Sequence, residues 1–236
     1  MTERKRRLVV AIIVLVVSGS AALYDSIKNR DDSPAVQSAN TSQAQSSPAA
    51  QALEKLEVKG KAPKTGYARD QFSDGWGDVA NCDVRNYILS RDMSAVITRS
   101  ESDCTVMQGR LEDPYTGKTI FFVKGSETSD DVQIDHVVAL SNAWQTGAQQ
   151  ISPDNRYLLA NDPLNLLAVD GPSNQKKGDS DAATWLPANK DFRCRYVARQ
   201  VAVKAKYLLW VTEAEKEAMK RVLAECPDQV LPVEKP

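Results

Sequence analysis

One histidine, one aspartate and two asparagines carry the candidate chemistry of this chain. His136 is the only histidine among 236 residues, and Asp135 directly precedes it. Asn165 and Asn174 follow in the stretch NDPLNLLAVDGPSNQKKGD. A hard divalent cation such as Mg²⁺ binds oxygen ligands, keeps several waters and often uses only one or two protein groups besides a substrate phosphate. Asp135 and Asn174 would supply those oxygens, and His136 would act as the general base, since an unperturbed imidazole has a pKa near 6.5.

These residue types predict hydrolysis of a phosphodiester bond. His136 would take a proton from the attacking water, and the metal would polarise a phosphoryl oxygen and stabilise the leaving alkoxide. The competing interpretation of His136 is a core histidine bound to a backbone carbonyl. The preceding Asp135, together with Asn165 and Asn174, favours catalysis. Asn165 could instead cap a turn, and Asn174 could merely begin a helix.

Two strands and a short helix must position this set. VQIDHVV (132–138) alternates along an extended segment that places Val132 and His136 on one face and Asp135 on the other. Asp135 and His136 therefore reach one site only if the strand bends or ends there. LNLLAVD (164–170) is a second predicted strand that can pair back onto the first. GPSNQKKGD (171–179) is a turn that opens into a short helix, with Ser173 as its predicted cap.

Helices and a hairpin are predicted around this unit. The hairpin strands, 104–111 and 119–123, flank the turn EDPYTGK. The other predicted helices cover residues 81–93, 140–148, 152–162, 190–210 and 212–226. Thr212 and Glu215 form a predicted capping box at the start of the last of these. The predicted fold is α+β, a small antiparallel β unit surrounded by helices.

The chain divides into three predicted segments. Residues 1–24 resemble an export signal, because basic residues precede the apolar run 8–17 and small residues follow it. A cleaved signal peptide and an uncleaved anchor using residues 8–24 both place the rest of the chain across the membrane. Residues 25–60, rich in Ser, Gln, Ala and Pro, predict a flexible linker, although 53–59 could add a helical turn or two. Residues 61–236 predict one domain.

The four cysteines predict disulfides, which persist outside the cell. Three connectivities are open, and the pairs that are local in the sequence, Cys82–Cys104 and Cys194–Cys226, are preferred. A zinc site is disfavoured because the chain has no CxxC motif and only one histidine. The formal net charge of −1 gives no overall electrostatic sign of a nucleic-acid binder.

Basic residues near the candidate site could still contact substrate phosphates. Arg195, Arg199 and Lys206 recur at helical spacing within 190–210 and could form a stripe that faces phosphates. An ordinary solvated face is the alternative for each of these positions. The candidate phosphate contacts are Lys176, Lys177, Arg195 and Arg199. Arg69 and Arg85 could pair with buried acids rather than bind substrate, and the four tryptophans are more typical of a core than of base stacking.

Two stretches, IDHVVALSNAW and NDPLNLLAVDGPSNQKKGD, resemble the HNH endonucleases, which carry a ββα-metal (His-Me finger) site. The closer resemblance is to the secreted branch related to the C-terminal domain of the GmrSD restriction enzymes. It spans about residues 65–226. Further matching stretches are GYARDQFSDGW (66–76), CDVRNYIL (82–89), DPYTGK (113–118) and NKDFRCRYV (189–197). The resemblance implies an α+β fold with a ββα-metal core.

The resemblance also implies a role for each residue. His136 matches the general base, Asp135 and Asn174 match metal ligands, and Asn165 matches the asparagine that braces the loop and helps to orient the base. Asn174 departs from the final histidine that gives the family its name. An amide oxygen there favours Mg²⁺ or Mn²⁺ over softer metals.

The sequence thus predicts an exported HNH endonuclease that uses Mg²⁺, or Mn²⁺ as the alternative, to hydrolyse DNA. Little sequence specificity is expected, because nothing resembles a sequence-reading module. The alternative is a catalytically silent extracytoplasmic binding module on the same fold. RNA remains an alternative substrate, and an inhibitor protein that protects the producing cell remains an open partner. The expected form is a monomer that contacts the membrane only through an uncleaved N-terminal segment.

Overall fold

A computed structural model describes residues 46–79, 81–126 and 128–233. This part of the chain has an α+β fold of seven α-helices and three small antiparallel sheets. The predicted export signal, residues 1–24, lies outside the described residues. Among the helices that are described, none has the length and apolar character needed to cross a membrane.

The elements follow one another in this order. The helices are α1 (Pro48–Glu54), α2 (Val84–Asp92), α3 (Leu140–Gln145), α4 (Pro153–Asn161), α5 (Gly171–Lys177), α6 (Arg193–Lys206) and α7 (Glu213–Ala224). The strands are β1 (Asp78–Val79), β2 (Cys82–Asp83), β3 (Met93–Ser100), β4 (Asp103–Glu112), β5 (Thr119–Val123), β6 (Val132–His136) and β7 (Leu166–Asp170).

The predicted pairing of the two strands around the candidate site is confirmed. β6 and β7 are antiparallel, in a register that pairs Val132 with Asp170 and His136 with Leu166. Helix α5 starts directly after β7. Its N-cap is Asp170, whose carboxylate accepts a hydrogen bond of 2.8 Å from the backbone N–H of Ser173. The prediction of Ser173 as the cap is therefore wrong, because Asp170 precedes it at the position where a side chain can accept from the first turn.

The predicted hairpin is also confirmed, as β4 and β5, and it gains a third strand. β3 pairs with β4 on the other side, although the sequence did not predict it. Most of its residues are exposed, so β3 lacks the apolar alternation that signals a half-buried strand. The turn between β4 and β5 is closed by Asp113, whose carboxylate accepts from both the backbone N–H and the hydroxyl of Thr116. This turn directs Tyr115 into the core.

Helix α1 corrects the predicted linker. Ser47 caps it by accepting from the N–H of Ala50 at 3.1 Å, and its residues Ala49 and Leu53 are fully buried. They pack in a core cluster with residues of α6 and α7, such as Val201 and Met219. The folded unit therefore begins before residue 61. The helix was missed because its apolar face is one short i, i+4 pair within a polar, alanine-rich stretch.

Both preferred disulfides are present, Cys82–Cys104 and Cys194–Cys226. The first links β2 to β4. The second links α6 to Cys226, the second residue after the end of α7. The capping box of α7 is present as well, since Thr212 and Glu215 each accept from the other's backbone N–H.

Candidate active site

A cleft with a volume of about 320 Å³ brings together Asp135, His136 and Asn174. β6 ends at His136, so the two neighbouring side chains reach one site at a strand end, which is one of the two arrangements that the sequence required. α5 supplies Asn174 to the same cleft. The other side chains that line the cleft include Tyr67, Arg69, Gln133, Ser141 and Asp179.

The imidazole of His136 is held in one orientation. Its Nε2 lies 2.8 Å from the carbonyl oxygen of Ala160, and its ring stacks on Trp76 at a centroid distance of 5.7 Å and an interplanar angle of 12°. A carbonyl oxygen only accepts, so Nε2 carries the proton. Burial lowers the pKa of His136 to about 3, because it disfavours the charged imidazolium. The neutral ring therefore has its lone pair on Nδ1, as a general base requires.

Asn165 braces the chain directly after His136. It is fully buried, and its Oδ1 accepts from the N–H of Val138 at 2.8 Å, while its Nδ2 donates to the carbonyls of Val138 and Leu159 at 3.3 Å each. Its backbone carbonyl also accepts from Val137 at 2.8 Å. Within the described ranges, no hydrogen bond joins Asn165 to the imidazole, so its place in the site is that of a brace.

Asp135 is buried, and both of its carboxylate oxygens have partners. The hydroxyl of Tyr115 donates to Oδ2, and the ammonium of Lys177 donates to Oδ1 at 2.9 Å. Burial raises the pKa of Asp135 and the charge of Lys177 opposes that rise. Burial also raises the pKa of Tyr115 well above its ordinary value, so the phenol remains a donor. Sequence reasoning assigned no role to Tyr115, although its place in the motif DPYTGK was an available signal.

Lys177 does not occupy the place that the sequence predicted. Its side chain has no exposed surface, and its Nζ donates to Oδ1 of Asp135 and to the carbonyl oxygen of His136, both at 2.9 Å. The predicted contact with a substrate phosphate is therefore wrong. Lys176 is exposed and Lys177 is buried, because consecutive residues of a helix lie on different faces. The two adjacent lysines in the sequence do not show which of them faces the core.

The predicted basic stripe on α6 does not form. Arg199 donates to the carbonyl oxygens of Leu164 at 2.9 Å and Pro163 at 3.4 Å, and burial lowers the pKa of its guanidinium. It supports the turn that precedes Asn165. Arg195 is exposed, but its guanidinium lies 5.0 Å over the ring of Phe192 and it does not line the cleft.

Asn174 is half-buried and offers one oxygen to the cleft. Its Nδ2 donates to Oε1 of Gln133 at 2.9 Å, which leaves Oδ1 as the acceptor. Within the described ranges, no group of three or more His, Cys, Asp or Glu side chains could hold a metal ion. The oxygen donors of the cleft, one carboxylate and one amide, fit a hard cation that keeps most of its water. Both oxygens of Asp135 already have a protein partner, Oδ1 in Lys177 and Oδ2 in Tyr115, so a cation would share this carboxylate with them.

Two comparisons with known proteins found matches to this chain. The family described as GmrSD restriction endonucleases, C-terminal domain, matches residues 83–222, a range that contains the whole candidate set. An uncharacterized secreted protein of Arthroderma benhamiae is 35% identical over 195 residues, which cover 82% of this chain and 88% of the relative. No solved structure matches the chain. The chain belongs to the family of GmrSD restriction endonuclease C-terminal domains.

Proposed function

We propose that this protein is an exported HNH endonuclease with a ββα-metal site formed by β6, β7 and α5. The observation that carries the proposal is the neutral imidazole of His136, fixed through Nε2, in a cleft that it shares with Asp135 and Asn174. A positioned general base activates the attacking water, and oxygen ligands beside it can hold the metal ion that hydrolysis of a phosphodiester uses. Membership of a restriction endonuclease domain family supports a nucleic acid as the substrate.

The protein's own residues would act as follows. Nδ1 of His136 takes a proton from a water molecule as its oxygen attacks the phosphorus atom, and the phosphorus–oxygen bond on the opposite side breaks. A bound phosphodiester anion favours the imidazolium that results, which offsets the effect of burial on the ring. Asn165 keeps the chain after His136 in place, and Lys177 with Tyr115 holds the carboxylate of Asp135. A divalent cation, Mg²⁺ or Mn²⁺, held by Asp135 and Asn174 would supply Lewis acidity for the phosphoryl oxygen and the leaving alkoxide.

We further propose DNA cleavage with little sequence preference, outside the cell. The relative from Arthroderma benhamiae is named as secreted, and two disulfides suit an oxidising compartment. A monomer is sufficient for this chemistry, because all residues of the cleft come from one chain.

The test compares the purified protein with His136→Ala on plasmid DNA, linear DNA and RNA, each with Mg²⁺, Mn²⁺ or EDTA. We expect metal-dependent cleavage by the wild type and a loss of at least about 10²-fold in the variant, the usual contribution of a general base. Added imidazole should restore part of the activity, because the variant leaves a space beside Trp76 and Ala160 that opens to the cleft. Circular dichroism checks that the variant folds.

A folded wild type that cleaves neither DNA nor RNA with any of these metals would contradict the proposal. The silent extracytoplasmic binding module would then be the better description. Cleavage that persists in EDTA would contradict only the metal requirement.

A further inference from the structure

Arg69 lies at the junction of two cavities that flank His136. It lines the cleft that contains Asp135 and Asn174, and it also lines a second cavity of about 150 Å³ on the side of Trp76. His136 and Leu140 are shared by both cavities as well. Arg69 therefore lies beside the proposed base, in the lining that the two cavities share.

The guanidinium of Arg69 is exposed and keeps its donors free. Within the described ranges, no carboxylate lies within ion-pair distance of it, and no acceptor takes a hydrogen bond from it. Two cations bind carboxylates that line the cleft: Lys64 binds Asp179 at 2.9 Å, and Lys177 is buried against Asp135. Arg85, the other arginine for which the sequence offered an alternative to substrate binding, donates to backbone carbonyls instead.

The backbone that carries Arg69 is well anchored. Arg69 begins a short 3-10 turn, Arg69–Gln71, after which Phe72 is buried and packs edge-on against Trp144 with centroids 6.2 Å apart. Arg156 donates from Nε to the carbonyl oxygen of Gln71 at 2.9 Å. Further along, the N–H of Gly77 donates to Oδ1 of Asn161, at the end of α4, at 2.7 Å. An arginine on a fixed segment loses less conformational entropy when it binds a ligand.

The charges of the cleft are otherwise balanced in pairs. Asp135 is matched by Lys177, and Asp179 is matched by Lys64. Arg69 is the one cation in the described lining of either cavity, and it is available to an anion. A guanidinium presents a planar fork of donors that matches two oxygens of a phosphate.

We propose that Arg69 binds the phosphodiester at which His136 acts, so that it is a substrate-binding residue of this site. The inference rests on the proposed function, since it supplies the positive charge that orients the scissile phosphate against the base. It takes the place of Lys177 and Arg199 among the predicted phosphate contacts, since both are engaged within the protein.

The test measures DNA binding and cleavage separately. Binding of a fluorescein-labelled duplex of about 20 base pairs is followed in EDTA by anisotropy, at several salt concentrations between about 50 and 200 mM. Cleavage is measured on bis(p-nitrophenyl) phosphate with Mg²⁺ or Mn²⁺, which reports kcat and KM without contacts from a long polymer. The variants are Arg69→Ala and Arg69→Lys. Arg195→Ala is the matched control, because it removes an exposed arginine that does not line the cleft.

We expect the slope of log K against log salt concentration to fall by about 0.9 in Arg69→Ala and to stay unchanged in Arg195→Ala, as one phosphate contact predicts. Arg69→Lys should keep the slope. It should still lose kcat, since an ammonium does not reproduce the bidentate contact. In Arg69→Ala, kcat should fall by about 10²-fold, the usual effect of removing one donor to a developing oxyanion.

The outcomes separate the two proposals. A slope and a kcat for Arg69→Ala that equal those of an active wild type would overturn the role of Arg69 and leave the nuclease standing. Loss of slope in Arg69→Ala without cleavage by any form would support the phosphate contact and overturn the nuclease. A folded wild type that neither binds DNA nor cleaves the probe would overturn both.

Discussion

Asn165 and His136 bind consecutive carbonyl oxygens of one helix. Nδ2 of Asn165 donates to Leu159 at 3.3 Å, and Nε2 of His136 donates to Ala160 at 2.8 Å. Both carbonyls belong to the last turn of α4, where backbone carbonyls have no partner within the helix. The brace and the base thus use the same helix end. We expect the orientation of the imidazole to depend on how firmly Asn165 ties that end to Val138, which follows β6.

Replacing Asn165 should therefore affect both stability and turnover. We expect Asn165→Ala to lower the free energy of unfolding by about 1–3 kcal/mol, because the N–H of Val138 would remain buried without its acceptor. It should also lower kcat by more than KM rises, since the ring would lose orientation rather than substrate contact. Urea unfolding and steady-state kinetics measure the two effects. Asn155→Ala, an exposed asparagine of α4, is the control, and an equal effect there would refute the brace.

The pair formed by Lys177 and Asp135 yields a test for the proposed metal ligand. Lys177→Met should lower the free energy of unfolding by about 3–5 kcal/mol in EDTA, because it leaves a buried carboxylate without its cation. Mn²⁺ should restore part of this loss if Asp135 is a ligand, since a cation that binds only the folded state stabilises it. Urea unfolding with and without Mn²⁺ measures the difference.

Lys176→Met is the matched control for that experiment, because Lys176 is the exposed neighbour on α5. It should change stability little in either buffer. If Mn²⁺ stabilises neither the wild type nor Lys177→Met, Asp135 is not a cation ligand.

Tyr115 should matter through its hydroxyl. Tyr115→Phe keeps the ring, whose centroid lies 4.9 Å from that of Trp185, and removes only the hydroxyl that donates to Asp135. We expect a loss of about 1.5–3 kcal/mol in the free energy of unfolding, the usual contribution of a hydrogen bond to a charged group. Tyr157→Phe, on the half-exposed Tyr157, is the control. A loss of similar size in both variants would argue against a specific contact with Asp135.

Helix α1 should contribute to the stability of the domain. Leu53→Ala is expected to lower the free energy of unfolding by about 2–5 kcal/mol, because Leu53 is fully buried between α6 and α7. Gln51→Ala, on the exposed face of the same helix, should change it little. Thermal or urea unfolding measures this difference. If Leu53→Ala has the same free energy of unfolding as the wild type, residues 46–60 are better described as part of the linker.

Local patterns were sufficient for much of the fold. Ser152 before Pro153 and the Thr212–Glu215 box marked two helix starts, because capping is a contact within four residues. The pairing of β6 with β7 followed from two short apolar segments joined by helices, and the two disulfides followed from the shorter separations. Ser173 failed as a cap only because Asp170 competes for the same N–H groups.

The sequence by itself determined which residue types are available: a single histidine, an aspartate beside it, and two asparagines, one just before a second strand and one in the helix after it. Only the tertiary structure decided how they are used, since each decisive contact joins residues far apart in the chain. Lys177 reaches Asp135, Tyr115 reaches the same carboxylate, and Trp76 stacks on His136. Burial settles such contacts, because a charge or a polar group removed from water must find a partner nearby in space, whatever its distance in sequence.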